Sequence, residues 1–561
     1  MNRSFSFTDY TVFLIYFIVV AVYGYWVFRK RKKSEHDAKA FFLAEGTLTW
    51  WAIGASLIAS NISAEQFIGM SGDGYFLGIA VAAYEWIAAL SLLAVSVWFI
   101  PVYLKNRIYT MPQFLTTRYN DSVALIMAVF WLFLYVFVNL TSILYLGAIA
   151  INGITGGGYL HVIMIALAIF ALVISLGGMK VIGYTDVIQV AVLIVGGLVT
   201  SYIALTVVAD KFGVGKSALA GFQVLLHAAP EHFHMMIPKP GVSSSQNDVN
   251  KYLTFPGLAA YLAGIWIINL NYWGCNQYIT QRALGADLPT ARTGILFAGF
   301  LKLFMPIIVV LPGIAAYVLY SHGYLPKLVG GKDGAYSAVL EFLPTGMKGL
   351  SVAALTAAIV ASLAGKVNSI STIYTLDIHK RYIGKADSER KQVIVGRVAV
   401  FVALVMAILL TWNDLLGIHR VGGFTYIQKY TGFISPGVFA MFFLGMFWKR
   451  TSGVAAVAGV LGGFLFSVFF NEYAPQVLGH SNFLYTAYPD GTGGYQIPFL
   501  ICMGLSFIFT MILMIAISLA GPKVNPKAFE LDRSMFKLQP RILAFIMLLV
   551  LLIGAIYVKF W

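Results

Sequence analysis

The sequence predicts an all-α protein that crosses a membrane about fourteen times. Hydrophobic residues make up 59% of its 561 positions and charged residues only 11%, whereas a soluble domain carries about 25% charged residues. Runs of about 18 or more mostly apolar residues, long enough to span a bilayer as helices, recur along the whole chain. Two of these runs contain polar residues at a density that is costly in hydrocarbon, which indicates interrupted helices.

The apolar runs are the predicted spans. They cover residues 10–28, 50–70, 76–102, 123–152, 160–177, 184–208, 255–279, 294–321, 350–378, 395–413, 424–447, 453–470, 497–521 and 542–559. If the N-terminus lies outside, the loops on the inner side hold 25 of the 38 Lys and Arg residues, and the outer segments hold 10. Cytoplasmic loops carry such an excess of basic residues, so both termini are expected outside.

The distribution of charge excludes other classes of protein. The formal net charge is +15, but the basic residues cluster in short loops such as Arg29–Lys33, which is typical of membrane proteins and does not suggest a nucleic-acid partner. Cys275 and Cys502 lie in apolar runs and are too few for a disulfide framework. No metal cluster, nucleophile elbow or phosphate loop occurs at membrane depth, so we do not expect an enzyme.

The second and seventh predicted spans do not read as plain helices. The second contains Asn61, Ser63, Glu65 and Gln66, and the seventh contains Asn269, Asn271, Tyr272, Trp273, Gly274, Asn276 and Gln277. Unwound backbone at membrane depth persists only where it lines a protein-buried or wet cavity. The alternative is that both segments are polar patches that join neighbouring helices by hydrogen bonds.

The interval between these two segments predicts an internal repeat. They are five spans apart, as expected of an inverted five-plus-five repeat with a solute site between two discontinuous helices. The first repeat would cover residues 50–208 and the second residues 255–447. Residues 10–28 would form an extra N-terminal helix and residues 453–559 additional C-terminal helices, all within one transmembrane domain.

Ionisable and amide side chains inside other spans indicate the kind of solute. Glu85 in the third span and Lys302 in the eighth would be expensive against lipid, so each is expected to face the interior with a partner. Asn139 and Gln428 add amides, which both donate and accept hydrogen bonds, as hydroxyl groups do. Together these groups suit a sugar or polyol. The alternative for Glu85 and Lys302 is a structural ion pair.

Two further positions concern a cation. Ser362 in the ninth span supplies a hydroxyl, and carbonyls freed from the second span would add the oxygen ligands that a hard monovalent cation prefers. A lone serine in a membrane helix otherwise bonds to its own helix. Asp186 begins the sixth predicted span, where it is either a carboxylate at a helix N-terminus or a group that helps a cation to leave.

Several of these segments resemble the sodium/solute symporter family, most closely its bacterial sugar carriers. The shared strings are WAIGASLIASNISAEQFIGM at 51–70, NLTS at 139–142, TDVIQV at 185–190, YWG at 272–274, NQY at 276–278 and YIQ at 426–428. The resemblance is densest from about residue 40 to residue 450. It implies a LeuT-type inverted repeat that works by alternating access, with sodium as the co-transported ion.

The resemblance also implies roles for individual residues. The sugar contacts map onto Gln66, Glu85, Asn139, Asn269, Lys302 and Gln428. The inner gate maps onto Tyr272 beside Trp273, and the outer hydrophobic gate onto Met70, Tyr84 and Phe424. The sodium ligands map onto the backbone carbonyls of Ala59, Ile62 and Ala358 and onto the Ser362 hydroxyl. Asn61 and Ser63 match polar residues near the gate, and Asp186 matches a residue linked to the sodium exit path.

Three residues depart from the pattern of the galactose-transporting members. Ala88 replaces a serine of the sugar site, which removes one hydrogen bond to the solute. Ala361 replaces one of two neighbouring serines of the sodium site. Lys366 follows Ser362 by four residues and therefore lies on the same helical face. We expect its ammonium to reach the cytoplasmic surface by snorkelling; the alternatives are that it weakens sodium binding or replaces sodium electrostatically.

The sequence therefore predicts a secondary active symporter in the inner membrane of a bacterium. It would couple inward sodium movement to the uptake of a hexose-like sugar, with the lipid bilayer as its surroundings. The alternative is a proton-coupled or weakly sodium-dependent carrier of another polyol or sugar derivative, prompted by Ala361 and Lys366. No oligomeric state follows from these patterns.

Overall fold

The structure is a computed structural model. It describes residues 6–30, 48–108, 110–154, 158–176, 178–241, 243–328, 331–416 and 422–561. These residues are mostly helical, with one short antiparallel hairpin in which β1 (Tyr488–Pro489) pairs with β2 (Tyr495–Gln496). The prediction of a helical membrane protein is confirmed. The basic residues Arg31–Lys33, which contribute to the charge argument, lie outside the described residues.

The first part of the chain forms ten helices over the described residues. They are α1 (Phe7–Lys30), α2 (Trp50–Asn61), α3 (Ser71–Leu77), α4 (Ala83–Ala94), α5 (Ile100–Lys105), α6 (Met111–Arg118), α7 (Asp121–Phe133), α8 (Thr141–Ile154), α9 (Leu160–Leu176) and α10 (Gly178–Lys211). Wider π-helical segments at Glu65–Met70, Val95–Phe99 and Leu134–Leu140 and a 3-10 segment at Gly78–Ala82 lie between some of them. Insertions of this π type occur frequently at functional sites.

The middle part contains the second interrupted region. Its helices are α11 (Ala218–Ala228), α12 (Gln246–Thr254), α13 (Gly257–Leu262), α14 (Ile265–Gly274), α15 (Gln277–Leu284), α16 (Leu288–Lys302), α17 (Met305–Val309), α18 (Leu311–Ser321), α19 (Ala335–Leu340) and α20 (Met347–Thr372). Short 3-10 segments occur at Pro230–Phe233 and Gly331–Gly334, and a π-helical segment at Ile373–Ile383 continues α20.

The last part is formed mainly by long helices. They are α21 (Glu389–Thr411), α22 (Gly423–Phe447), α23 (Gly453–Val468), α24 (Ala474–Val477), α25 (Phe499–Leu519) and α26 (Pro540–Phe560). A π-helical segment at Phe469–Tyr473 connects α23 to α24, and a 3-10 segment lies at Arg533–Phe536.

The number of spans differs from the predicted count. Ten helices of the described residues are long and apolar enough to cross a membrane, or twelve if each of two bent pairs is one span. Residues Glu65–Lys105 count once, although the sequence predicts parts of two spans there. The reason is that this stretch is almost unbroken helix, interrupted only near Gly78, whose positive φ of 74° favours glycine. α9 is also too short to be counted, at 17 residues.

The chain divides into two compact units. The first comprises Met1–Ala82, Phe130–Phe233 and Leu301–Ile427. Its α20 is buried over nearly its whole length, and α10 packs along it. A side chain at Gly196 would place its Cβ 2.6 Å from the Cβ of Ala354, so glycine is what permits this close approach, as is common between membrane helices.

The second unit comprises Ala83–Val129, His234–Phe300 and Gln428–Trp561. Here α14 packs against α4, and α23 packs against α25. Gly264 at the start of α14 lies against the backbone of Leu500, where an added Cβ would be 2.5 Å from the carbonyl oxygen. The polar residues of the seventh predicted span are thus held inside this unit.

Candidate functional site

The first interruption lies between α2 and the π-helical segment Glu65–Met70. The last regular bond of α2 runs from the Ile62 N–H to the Ile58 carbonyl at 2.9 Å, and Ile62 itself is extended, with φ −83° and ψ 118°. The next N–H, that of Ser63, donates to the Gln66 side-chain oxygen at 2.9 Å. The Gln66 N–H in turn donates to the Ser63 carbonyl at 3.2 Å.

These two bonds release two backbone carbonyls. In an α-helix the Ser63 N–H would donate to the Ala59 carbonyl, and the Gln66 N–H to the Ile62 carbonyl. Both donors are engaged elsewhere at the interruption. The carbonyls of Ala59 and Ile62 are the two from the second predicted span that were expected to bind sodium. The structure thus confirms the interruption and gives its local cause, which is the Gln66 side chain acting as a cap.

α20 contacts the end of α2 through Ser362. Its hydroxyl donates to the Ser60 carbonyl at 3.2 Å, and both residues are fully buried. Because Ser362 bonds to another helix, the alternative that it bonds only to its own helix does not hold. Ala358, one turn before Ser362, and Ala361 are buried on the same helix. The hydroxyl therefore lies beside the backbone that the interruption releases.

Lys366 does not reach the cytoplasmic surface, and that prediction is wrong. The residue is only 2% exposed, and its ammonium lies 3.6 Å from Oε1 of Glu65, which is itself 5% exposed. α20 is buried around this position, so no path of snorkelling is open. A buried ammonium needs an opposite charge, and Glu65 supplies it. No partner for Glu65 can be read from the sequence, because the two residues are 301 positions apart along the chain.

Lys302 supports the same interruption from another side. It is buried at the end of α16, and its ammonium donates to the Asn61 side-chain oxygen at the last residue of α2. The expectation that Lys302 faces the interior with a partner is confirmed, and the partner seen here is an amide. Glu85, in the second unit, is likewise buried, near the start of α4.

Asp186 is connected to α2 as well. The Ser56 hydroxyl donates to its carboxylate at 2.6 Å, and Asp186 is buried. α10 begins at Gly178, so Asp186 lies in the body of the helix and the interpretation as a carboxylate at a helix N-terminus is wrong. The sequence predicts this span only from residue 184, whereas the helix already begins at Gly178.

The second interruption differs in position from the prediction. The chain bends by 76° between Gln246–Leu262 and Ile265–Gly274, and it leaves the helix again at Cys275 before α15 begins at Gln277. Asn269 and Asn271, expected in unwound backbone, lie inside the regular helix α14. The discontinuity of the seventh span is therefore confirmed: one break lies before the polar cluster, at Ala263 and Gly264, and the other lies within it, at Cys275 and Asn276.

Neutral hydrogen bonds hold the second interruption. The Tyr103 hydroxyl donates to the Gly274 carbonyl at 2.7 Å, and the Met111 N–H donates to the Gln277 side-chain oxygen at 2.6 Å. The Asn271 amide donates to the Ser435 hydroxyl at 3.1 Å. The Gly274 carbonyl is thus satisfied by a side chain at the point where the helix ends.

The residues expected to bind the sugar occur in both units. Gln66, Asn139 and Lys302 belong to the first, and Glu85, Asn269 and Gln428 belong to the second. Asn139 donates to the Leu134 carbonyl at 3.2 Å, and Asn269 donates to the Ile265 carbonyl at 2.8 Å. An amide NH₂ carries two donors, so each still offers one donor and its oxygen to a solute. Ala88, the departure from the family pattern, is buried on α4.

The predicted gate residues are mostly buried. In the first unit, Met70 and Phe424 are buried, and the backbone of Phe424 approaches Gly69 so closely that an added Cβ would lie 2.6 Å from its nitrogen. In the second unit, Tyr84 contacts Phe255 with ring centroids 6.0 Å apart. Tyr272 packs edge-on against Trp273 at 5.2 Å.

Comparison with known proteins identifies the family. The model of the sodium:solute symporter family matches residues 41–463 of the chain. The chain belongs to the sodium:solute symporter family. It is therefore a transporter and not an enzyme, and sodium is the ion of its family. The resemblance inferred from the short strings is confirmed over most of the sequence.

Individual relatives agree with this placement. The chain is 42% identical to the sodium/glucose cotransporter of Vibrio parahaemolyticus, over all of this chain and 99% of that protein. It is 34% identical to sodium/myo-inositol cotransporter 2 of Mus musculus, over 83% of this chain and 70% of that protein. Among solved structures, a sodium-coupled sialic acid symporter in a substrate-bound outward-open state has the same fold, with a TM-score of 0.75 at 19% identity over 93% of this chain.

Proposed function

We propose that this protein is a symporter that couples inward sodium movement to the uptake of a hexose-like sugar. The observation that carries the proposal is the interruption after α2, where the Ala59 and Ile62 carbonyls lose their helical donors beside the Ser362 hydroxyl. Oxygen ligands of this kind suit a small monovalent cation. The full-length similarity to a sodium/glucose cotransporter supports the choice of sodium and of a sugar.

The ion would act by joining the interrupted helix to α20. In the structure the Ser362 hydroxyl donates to the Ser60 carbonyl; with sodium present, its oxygen would instead face the ion. Such a bridge has a different energy in each conformation, and only a ligand with different affinities for two states shifts their equilibrium. One charge crossing 100 mV supplies about 2.3 kcal/mol, before any concentration gradient is added.

We also propose that the sugar contacts the six residues named above. The Asn139 and Asn269 amides each keep one N–H donor and an oxygen acceptor, and a solute hydroxyl matches them by accepting from the N–H and donating to the oxygen. Ala88 lacks the hydroxyl of the galactose-transporting members, so glucose, galactose and myo-inositol are the solutes to compare. The relatives' names include glucose and myo-inositol.

The direct test uses purified protein in proteoliposomes with radiolabelled D-glucose, D-galactose and myo-inositol. With an inward sodium gradient, the uptake of at least one of these solutes should exceed its uptake with an equal inward potassium gradient. Glu85→Ala and Gln428→Ala should abolish that uptake while the protein remains folded and inserted. Equal uptake in sodium and potassium would refute sodium coupling, and unchanged uptake in both variants would refute the sugar contacts.

The topology is also proposed. We place the protein in the inner membrane of a bacterium with both termini outside, as the loop charges indicate. We further propose a LeuT-type inverted repeat of residues 50–208 and 255–447, preceded by the helix 10–28 and followed by helices within 453–559. The interrupted segments at corresponding places support it. A cysteine introduced at Ser6 should react with an impermeant thiol reagent added outside the intact membrane, whereas one introduced at Gly521 should react only after the membrane is opened.

The weakly sodium-dependent carrier is a second candidate, and one observation favours it. The Lys366 ammonium is buried one helical turn from Ser362. A fixed positive charge so close to the proposed sodium site would lower the dependence of transport on sodium.

A further inference from the structure

One face of α20 contacts the interrupted helix on both sides of its break. Before the break, the Ser362 hydroxyl donates to the Ser60 carbonyl at 3.2 Å. After the break, the Lys366 ammonium lies 3.6 Å from the Glu65 carboxylate. Ser362 and Lys366 are four residues apart and so share a helical face. The ion pair therefore ties the second half of the interrupted helix to the same helix that would hold sodium.

The cost of this ion pair calls for a functional reason. Both side chains are removed from water, since Glu65 and Lys366 have side-chain exposures of 7% and 3%. Desolvation of two charges offsets most of their attraction, and buried ion pairs are often no more stabilising than apolar residues of similar size. Stability alone does not account for a lysine here.

The charges also act on the neighbouring cation site. The carboxylate of Glu65 is an acidic group that would attract sodium to the break, but the ammonium already balances it. Sodium entering beside Ser362 would then add a positive charge about one helical turn from the residue that carries another one. Like charges so close together in a region that excludes water repel strongly. The lysine therefore weakens sodium binding and, at the same time, supplies a cationic bridge that is always present.

We propose that Lys366 is a tethered cation that performs part of the role of sodium. It holds the interrupted helix against α20 when sodium is absent and lowers the affinity for sodium. The inference rests on the proposed sodium-coupled function and explains why this chain tolerates Ala361, which provides no hydroxyl ligand.

The experiment measures sodium binding without any sugar. Purified protein in detergent is heated in sodium chloride and in potassium chloride of equal ionic strength, and the rise in Tm caused by sodium is titrated. Lys366→Met should melt earlier in potassium, show a larger rise with sodium, and reach half of that rise at a roughly tenfold lower sodium concentration than the wild type, because one nearby positive charge is removed.

Two more variants separate electrostatics from a general loss of stability. Glu65→Gln leaves the ammonium without its carboxylate and should bind sodium more weakly than the wild type. The double variant Glu65→Gln with Lys366→Met is neutral and should fall between the wild type and Lys366→Met. A structural role alone lowers Tm equally in both salts and gives no such order of sodium affinities, and that result would overturn the proposal.

A matched control is available on the same helix. Lys348 is also buried on α20, but it lies 18 residues before Lys366, a distance of about 27 Å along the helix axis. Lys348→Met should leave the sodium titration as in the wild type. A shift as large as that of Lys366→Met would show that any buried lysine on α20 has this effect, which contradicts the specific role.

Failure of this inference is distinguishable from failure of the proposed function. If the proteoliposomes take up sugar with sodium but the variants show no order of sodium affinities, only the inference is wrong. If the order is found but none of the three solutes is taken up, the choice of a sugar is wrong and the tethered cation stands. If neither Tm nor uptake depends on sodium, in the wild type or in the variants, the proposed function and the further inference are both wrong.

Discussion

The two interrupted helices are held by different chemistry. At the first interruption, charged side chains make the key contacts, since Lys302 donates to Asn61 and Lys366 pairs with Glu65. At the second, in the other unit, the three contacts described above are neutral, as in the bond from the Tyr103 hydroxyl to the Gly274 carbonyl. The same kind of break in a membrane helix is thus stabilised by charged contacts in one unit and by neutral hydrogen bonds in the other.

The difference indicates a division of roles. A break that handles an ion gains from fixed charges, because electrostatic attraction and repulsion set how strongly the ion binds. A break that only has to change shape gains from neutral hydrogen bonds, which are exchanged for others at little net cost. The predictions below ask whether this contrast is real, beginning with the largest expected effect.

Loss of the charged contact at the first interruption should nearly abolish transport. Lys302→Met removes the donor to Asn61, and a hydrogen bond to a charged group is worth about 1.5–3 kcal/mol, so sodium-driven sugar uptake should fall by about a hundredfold. Lys391→Met, which removes an exposed lysine paired with Asp387 at 2.7 Å, should transport normally. Near-normal uptake by Lys302→Met would remove the basis for the contrast.

Loss of one proposed oxygen ligand should act mainly on the sodium dependence. Ser362→Ala should raise the sodium concentration for half-maximal uptake by roughly tenfold, on the order of 1.4 kcal/mol, with a smaller effect on the maximal rate. Ser435→Ala removes a comparable hydroxyl, the acceptor from Asn271 at the second interruption, and should leave this concentration unchanged. If both variants shift it equally, the two interruptions do not differ in ion binding.

Loss of a neutral contact at the second interruption should affect stability in the same way with and without sodium. Tyr103→Phe leaves the buried Gly274 carbonyl without the donor that lies 2.7 Å away, which should lower the free energy of unfolding by about 1 kcal/mol. Thermal unfolding in sodium and in potassium should show the same loss. A loss that sodium reverses would connect this interruption to the ion.

The smallest effect is expected where an ion pair is exposed to water. The hydrogen bond from Lys391, together with that from His379, holds the pKa of Asp387 below its ordinary value of 3.8. Its stabilising contribution is therefore present above that value and is lost as the pH falls through the lower pKa of the folded protein. Asp387→Asn should lower Tm slightly at pH 7, and this difference should shrink as the pH falls below 3.8, with normal uptake at pH 7. A large loss of uptake would show that an exposed ion pair matters for transport as much as the buried charges at the first interruption.

The sequence predicts much of the candidate site because the local pattern carries the physical cause. Asn61, Ser63, Glu65 and Gln66 stand in a mostly apolar run, and such a density of polar groups is tolerated around broken backbone. The structure indeed breaks the helix at Ile62. At the second interruption the same argument places the break only approximately, because the Asn269 and Asn271 amides donate to groups within or beside the regular helix α14.

The prediction for Lys366 shows where local reasoning ends. Its position near the inner end of a predicted span favours snorkelling if the helix faces lipid or water. The neighbours of a helix are not encoded in its own sequence, and here α20 is surrounded by protein, with Glu65 within reach. The number of spans has a similar limit, since an apolar run does not reveal whether two helices join without a loop.

The sequence by itself determined that the chain is a helical membrane protein of the sodium:solute symporter family and that two of its helices are interrupted, because hydropathy, polar clusters and motif strings are properties of neighbouring residues. Only the tertiary structure decided which buried charge meets which partner. Contacts such as that between Lys366 and Glu65 join segments hundreds of residues apart, and their energies depend on the exclusion of water, which arises only when the helices pack together.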